Sequence, residues 1–302
     1  MAVVLSDPQV RPDIVWALLR LIEERGPGAT DQEIVGWMAP ATLKASAHGE
    51  ERGGDDSLAK RVKDARSVAS KLGLMQADGW QLVSSAPATR GEFADLIHSK
   101  CLELKLWELF DPFASFVVEI EREGVAWCGS REQTVARLRD RLQRADPEDV
   151  SGYINETQWV AWIDWVTSLG LGYGGPKFAQ FFPQPTQRLS RMISRLARLE
   201  ETGEVTADYF LDAVGRELPY LDRGDRYKAA WYRAGGKAGR EVSITLSNAL
   251  RELHKANVIE LRHTGGDANA RRLADPLGGS SGSTFGMSGF SSVALPRSKG
   301  AL

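Results

Sequence analysis

Cysteine and histidine are scarce in this chain, which has two cysteines, Cys101 and Cys128, and four histidines in 302 residues. There is no CxxC, no HExxH and no paired Cys/His spacing, so a structural zinc site is not expected, and both cysteines, set among apolar residues, read as buried thiols. No apolar run approaches the ~18 residues of a membrane span. The opening MAVVLSDPQV lacks the basic stretch that precedes the apolar core of a secretory leader, so the expected location is the cytoplasm. An excess of one charge is also missing: 38 basic residues face 40 acidic ones, for a formal net charge of −2. That balance excludes coating of nucleic acid by bulk charge, so any anion must be held by local patches.

Catalytic signatures are equally sparse. No GxSxG elbow occurs. The stretch Ala234 to Arg240, AGGKAGR, has neither a glycine four residues ahead of Gly236-Lys237 nor a Ser or Thr behind it, and so does not form a phosphate loop. Asp95 with Glu103-Leu104-Lys105 loosely fits the acids and lysine of metal-dependent nucleases. Those acids converge from neighbouring strands, whereas this stretch has helical periodicity. No catalytic residue, metal or other cofactor is therefore expected.

What the sequence does contain is an ordinary globular composition, 42% apolar and 26% charged, and a recurring order of helices and hairpins. A first helix is expected from about Asp13 to Arg25, with Ile14, Val15, Leu18, Leu19 and Ile22 on one face. Thr30 and Glu33 form a capping box for a short second helix. Ser57 is placed to cap a third, which stops at Gly73. Asp78-Gly79, between Leu74-Met75 and Trp80 to Val83, signals a two-residue hairpin. Three helices and a hairpin in this order describe a winged helix-turn-helix over residues 1–86.

A helical connector follows over 87–129, expected as one long helix to about Phe110, broken at Asp111-Pro112. Ser130 with Gln133 and Asn155 with Gln158 open two more helices, and a glycine-rich hairpin makes residues 130–185 a winged-helix-like middle domain. Trp159 and Trp162 read as buried packing. Residues 186–276 supply a helix and a third unit, with helices near Asp208 to Leu218, Arg226 to Ala234 and Ser243 to Ala256, the last with Ser243 placed as an N-cap. Its wing is expected from Val258 to Arg262, a Thr264-Gly265-Gly266-Asp267 turn, and Ala270 to Ala274. Residues 277–302, rich in Gly and Ser, read as a flexible tail whose spaced apolar residues can dock on a surface. The expected fold is mainly α with short β-hairpins: tandem winged helix-turn-helix units joined by a helical segment.

Two basic segments stand out. Leu58 to Lys71 holds five basic residues and one acid, Asp64. On a helix beside a wing, Lys60, Arg61, Lys63 and Arg66 can reach phosphates. After Pro185, Arg188, Arg191, Arg195 and Arg198 recur at spacings of 3, 4 and 3, aligned on one helix face opposite Leu189, Met192, Ile193 and Leu196. Such a row suits a phosphate backbone or an acidic partner helix. In the last unit Thr245, Asn248 and Arg251 are further candidates for contact with nucleic acid, and Arg262, His263, Arg271 and Arg272 charge its wing.

The segments VTSLGLGYGG and FFPQPTQRLSRMI, followed by LPYLDRGDRY and SITLSNALRELHKANVIELRHTGGDANARRLA, carry a further signal. In pattern and order this last half of the chain resembles the DpdG-like accessory proteins of bacterial gene clusters that insert and police deazaguanine bases in DNA. The resemblance implies a DNA-modification or antiphage setting and a helper role; it carries no catalytic motif and transfers no residue role. Two readings follow. One is a non-enzymatic DNA-binding accessory protein that contacts phosphates through basic helices. The other is an adaptor whose winged helices hold a protein subunit, such as a helicase or nuclease, of a defence complex.

Overall fold

The computed structural model describes residues 4–5, 10–26, 28–38, 54–124, 130–143, 154–174, 180–200, 203–236, 241–264, 269–275 and 287–296. Helix predominates, with short strands in small sheets. Among the described residues no helix is long and apolar enough to cross a membrane. The chain divides into two compact units, Met1–Glu108 with Glu156–Leu169, and Leu109–Asn155 with Gly170–Leu302.

In the first unit α1 (Pro12–Arg25) buries Val15, Leu18, Leu19 and Ile22, the stripe its spacing predicts. The capping box ahead of α2 (Asp31–Met38) is present: Glu33 N–H donates to Thr30 Oγ1 at 3.3 Å, and Thr30 N–H to Glu33 Oε2 at 2.8 Å. α3 (Gly54–Lys71) starts three residues before the expected cap, so Ser57 lies inside the helix. Its Val62, Ala65, Val68, Ala69 and Leu72 are buried, and it packs on α1 and α2. Gly73 ends it at φ 67°, left-handed backbone that favours glycine, while Leu74 N–H reaches back to Ala69 O at 2.9 Å and Leu74 is buried.

The hairpin after α3 exists but is wider than predicted. Met75 bridges Leu82, and Gln76 N–H bonds Gln81 O at 3.0 Å, so the loop runs over four residues, Ala77 to Trp80, instead of turning on Asp78-Gly79 alone. The connector also differs. α4 (Arg90–Glu103) opens on a Thr89–Glu92 capping box and ends well before Phe110, with Lys105 at φ 54°. Pro112 then lies in the first turn of α5 (Phe110–Glu123), where a missing N–H breaks no helical bond, so this proline begins a helix where the sequence suggested a break.

The expected middle domain, 130–185, is shared between the units. α6 (Arg131–Gln143) packs on α5 in the second unit. α7 (Glu156–Ser168) belongs to the first, where Trp165 Nε1–H donates to Val10 O at 3.2 Å and Gln158 Nε2–H to Leu5 O at 3.1 Å. Gln158 thus ties α7 to the start of the chain. Trp159 and Trp162 stack at 5.1 Å, and with Trp165 they are fully buried. Cys101, in the same unit, is buried, and burial, helped by the Glu108 charge, pushes its thiol up to about 12, as an unreactive core thiol requires. Cys128 lies outside the described residues.

In the second unit α5 is buried from Phe110 to Ile120. Its Phe110 stacks on Tyr220 at 4.7 Å, and Phe113 and Phe116 meet Phe181 edge to face at 6.2 and 5.7 Å. Phe181 comes from a two-stranded antiparallel ribbon, β1 (Gly172–Gly174) and β2 (Phe181–Pro183). Then come α8 (Thr186–Leu199), β3 (Glu204–Thr206), α9 (Ala207–Glu217), α10 (Asp225–Arg233), β4 (Glu241–Val242) and α11 (Ile244–Lys255). The last strands are β5 (Glu260–Arg262), β6 (Arg271–Leu273), β7 (Gly289–Phe290) and β8 (Ser292–Ala294).

Here the predicted wing is corrected. β5 does not pair with β6: β8 sits between β3 and β5, while β6 pairs with β4 and β7. The strands that intervene come from the segment expected to be a tail. Val205, Val293 and Leu261 align across one sheet as a buried row, and Phe290 is fully buried in the other, so Phe290, Val293 and Leu295 of this segment are core, and only their docking was anticipated. The predicted turn at Gly265 to Asp267 lies outside the described residues.

Candidate nucleic-acid interface

Lys60, Lys63 and Lys71 of α3 are exposed, and at 3.6 residues per turn they lie within about 80° of one another around the helix axis. Among the described residues none of the three has an ion-pair or hydrogen-bond partner. Arg61 is half-buried. Arg66, predicted as a phosphate contact, is instead turned onto the hairpin. It donates to Ala77 O at 3.1 Å, and its guanidinium lies 5.0 Å from the Trp80 ring. Trp80 is buried and donates its indole N–H to Asp31 Oδ1 at 2.8 Å. The hairpin is therefore clamped against α2 and α3 and leaves the lysine stripe as the outward basic face.

The arginine row of α8 is split by packing. Arg188 is fully buried and offers no surface to a phosphate, which corrects its place in the predicted row. The cause is the helix's first turn: Arg188 N–H donates to Gly170 O at 3.3 Å, and Glu252 of α11 accepts from Gln184 and Thr186. Further along, Arg191 and Arg195 are half-buried, and Arg198 is exposed with its Nε–H on Ser194 O at 3.1 Å. Among the described residues neither Arg195 nor Arg198 has an acidic partner.

On α11, Thr245 is buried and is likewise corrected as a candidate contact. Arg251 donates to Ala274 O at 2.9 Å and Met287 O at 3.4 Å, fastening the helix to its last strands; burial lowers its pKa. Asn248 remains half-exposed. The wing's charges are taken up by the chain's own acids. Arg271 grips Asp208 through two bonds of 2.7 and 2.6 Å, and Arg223 bonds Asp208 and Asp212. Hydrogen bonds from Arg271, then Arg223, hold the Asp208 carboxyl down at about 2. Arg262 meets Glu204 at 2.6 Å and Glu260 at 2.7 Å, and Arg272 meets Glu241 at 3.4 Å.

One polar cluster was not foreseen. The N-terminus of α11 is capped by Ser243, whose N–H and Oγ–H donate to the buried Asp222 at 2.7 and 2.6 Å. Ile244 N–H donates to Glu121 of α5 at 2.6 Å. Burial raises Asp222, Glu121 and Tyr227 together; Glu121 is carried up to about 7. Only the Ser243 cap was visible in sequence, because the carboxylates arrive from 21 and 123 residues upstream. The cluster closes a helix end inside the fold. Among the described residues no group of three or more His, Cys, Asp or Glu is placed to hold a metal ion.

Residues 124–266 match the model of a family described as DpdG-like, on the segment that carries the resemblance seen in the sequence. The match runs from the end of α5 through β5 and leaves out the lysine-bearing α3 and strands β6, β7 and β8. No curated protein and no solved structure matches the chain.

Proposed function

We propose that this protein is a non-enzymatic DNA-binding accessory of a bacterial DNA-modification or defence system, and that it meets the phosphate backbone through Lys60, Lys63 and Lys71. One observation carries the reading: these ammonium groups share one exposed helix face with no acidic partner among the described residues, whereas Arg262, Arg271 and Arg272 are all ion-paired. A cation already paired with its own carboxylate has to break that pair before it can displace counterions from DNA; an unpaired one does not. Arg61 flanks the stripe, and Arg66 keeps the hairpin behind it in place. The DpdG-like segment supports the setting, a system that modifies or polices DNA.

The test is the salt dependence of duplex binding. Replacing all three lysines by glutamine should weaken binding to any duplex sequence and flatten the plot of log affinity against log salt by about 2.7, at roughly 0.9 for each phosphate left without its lysine. An unchanged slope would refute the assignment. The adaptor reading keeps one observation of its own. In the second unit Arg262, Arg271 and Arg272 are already paired with the chain's own acids, which suits a surface that meets a protein subunit better than one that meets phosphates. Purified protein that ignores DNA at low salt yet forms a complex with a neighbour-encoded subunit would favour it.

A further inference from the structure

We propose that the β1–β2 ribbon is a stacking platform for the unpaired bases of single-stranded nucleic acid, with Arg191, Arg195 and Arg198 further along α8 receiving the phosphates. Tyr173 and Phe182 are direct cross-strand partners and stand 56% and 42% exposed. Strand alternation puts both rings on the same face. The opposite face is anchored by Phe181, buried against Phe113 and Phe116. Gly172 permits this tight ribbon: a Cβ there would sit 2.3 Å from the Phe182 carbonyl oxygen and 2.6 Å from the Phe181 ring. Two large rings held rigidly side by side in solvent offer π-faces on which bases of any sequence can stack.

The charge around the ribbon selects a polyanion as the occupant. Gly170 to Leu199 carries no acid of its own, Glu252, which the fold brings to the start of α8, is engaged by Gln184 and Thr186, and Arg191, Arg195 and Arg198 reach the surface in a chain whose net charge is −2, whereas Arg188 is buried. Arg188 N–H on Gly170 O and Gln184 N–H on Leu171 O, at 3.3 and 2.9 Å, tie the first turn of α8 to the base of the ribbon. Arg191, Arg195 and Arg198 follow along that helix, and the last two have no acidic partner among the described residues. Flat exposed rings followed along the adjoining helix by such guanidiniums match a strand that alternates flat bases with phosphates. A duplex keeps its bases stacked on one another, so this site is separate from the one proposed for α3.

The experiment follows fluorescence anisotropy of a labelled single-stranded oligothymidylate with the full chain at low salt. Tyr173→Ala and Phe182→Ala should each weaken binding roughly tenfold, Tyr173→Phe should keep it, and Arg195→Ala with Arg198→Ala should flatten its salt dependence. The side chains are solvent-facing, so the melting temperature should not move. The lysine variant of α3, assayed on duplex, reports on the other site, and the two can fail independently. Three results would overturn the proposal: a wild-type protein that ignores the oligothymidylate, alanine variants that bind it unchanged, or alanine variants that lose only an acidic protein partner.

Discussion

Glu121→Gln should stabilise the second unit at pH 8 and leave it nearly unchanged at pH 4.5. Burial lifts the Glu121 carboxyl from its ordinary 4.5 to about 7, with repulsion from Asp222 and Glu241 adding to the effect and the hydrogen bond from Ile244 N–H opposing it. The folded state therefore holds a proton between these values that the unfolded chain has released. Stability is greatest below the unfolded pKa of 4.5 and is lost as pH rises through about 7. At ~1.4 kcal/mol per pKa unit, the loss comes to about 3 kcal/mol, or nearer 2 after allowing for the solvent that reaches a partly exposed carboxyl. Glutamine keeps an oxygen for Ile244 N–H but carries no charge to desolvate. Urea unfolding of wild type and variant at the two pH values gives the comparison. A variant equally shifted at both, or less stable at pH 8, would show that charge on Glu121 does not strain this helix end.

Three further outcomes are expected. Trp80→Ala should cost the first unit about 3–5 kcal/mol, because it removes a buried ring together with its hydrogen bond to Asp31 and its cation–π contact with Arg66, whereas Trp80→Phe should cost about 1 kcal/mol; urea midpoints separate the two. Phe290→Ala should destabilise the second unit by about 3–5 kcal/mol in the same assay, whereas a loosely attached tail would show almost no change. Asp208→Asn, by releasing Arg271 from its carboxylate while Arg223 keeps Asp212, should raise duplex affinity at low salt and steepen its salt dependence by up to about 0.9. If affinity stays fixed, Arg271 lies where no duplex can reach it.

Local signals in the sequence translated directly into local structure. The α1 stripe, the Thr30–Glu33 and Ser130–Gln133 boxes, the Gly73 stop and the Ser243 cap all depend on residues within one or two turns of each other. Longer range pairing was hidden. Nothing in the sequence near Val258 to Arg262 shows that its strand partner is Ser292 to Ala294, and a two-residue β7 is too short to display a period. The Gly/Ser composition around Phe290 and Val293 masked two core side chains, because a short strand needs only one or two buried residues to fix it. The sharing of 130–185 between units was equally hidden: Trp159, Trp162 and Trp165 say that α7 is buried, but not against which partner.

The same distinction decides the fate of the basic residues. Helical spacing established that Arg188, Arg191, Arg195 and Arg198 share a stripe, but a stripe is a set of angles around an axis and does not say which end of it dips into a neighbour. α8 is held at its first turn by Gly170 and Glu252, so burial falls on Arg188 and exposure rises toward Arg198. The wing arginines look as available as the α3 lysines when counted from sequence, yet Asp208 lies 63 residues from Arg271 and Glu204 58 from Arg262. Charge that is locally unbalanced becomes binding charge only where the fold brings no acid to it, and Lys60, Lys63 and Lys71 meet that condition among the described residues. For that reason the duplex assignment rests on one lysine face of α3, whereas helical spacing and composition alone spread it over three helices.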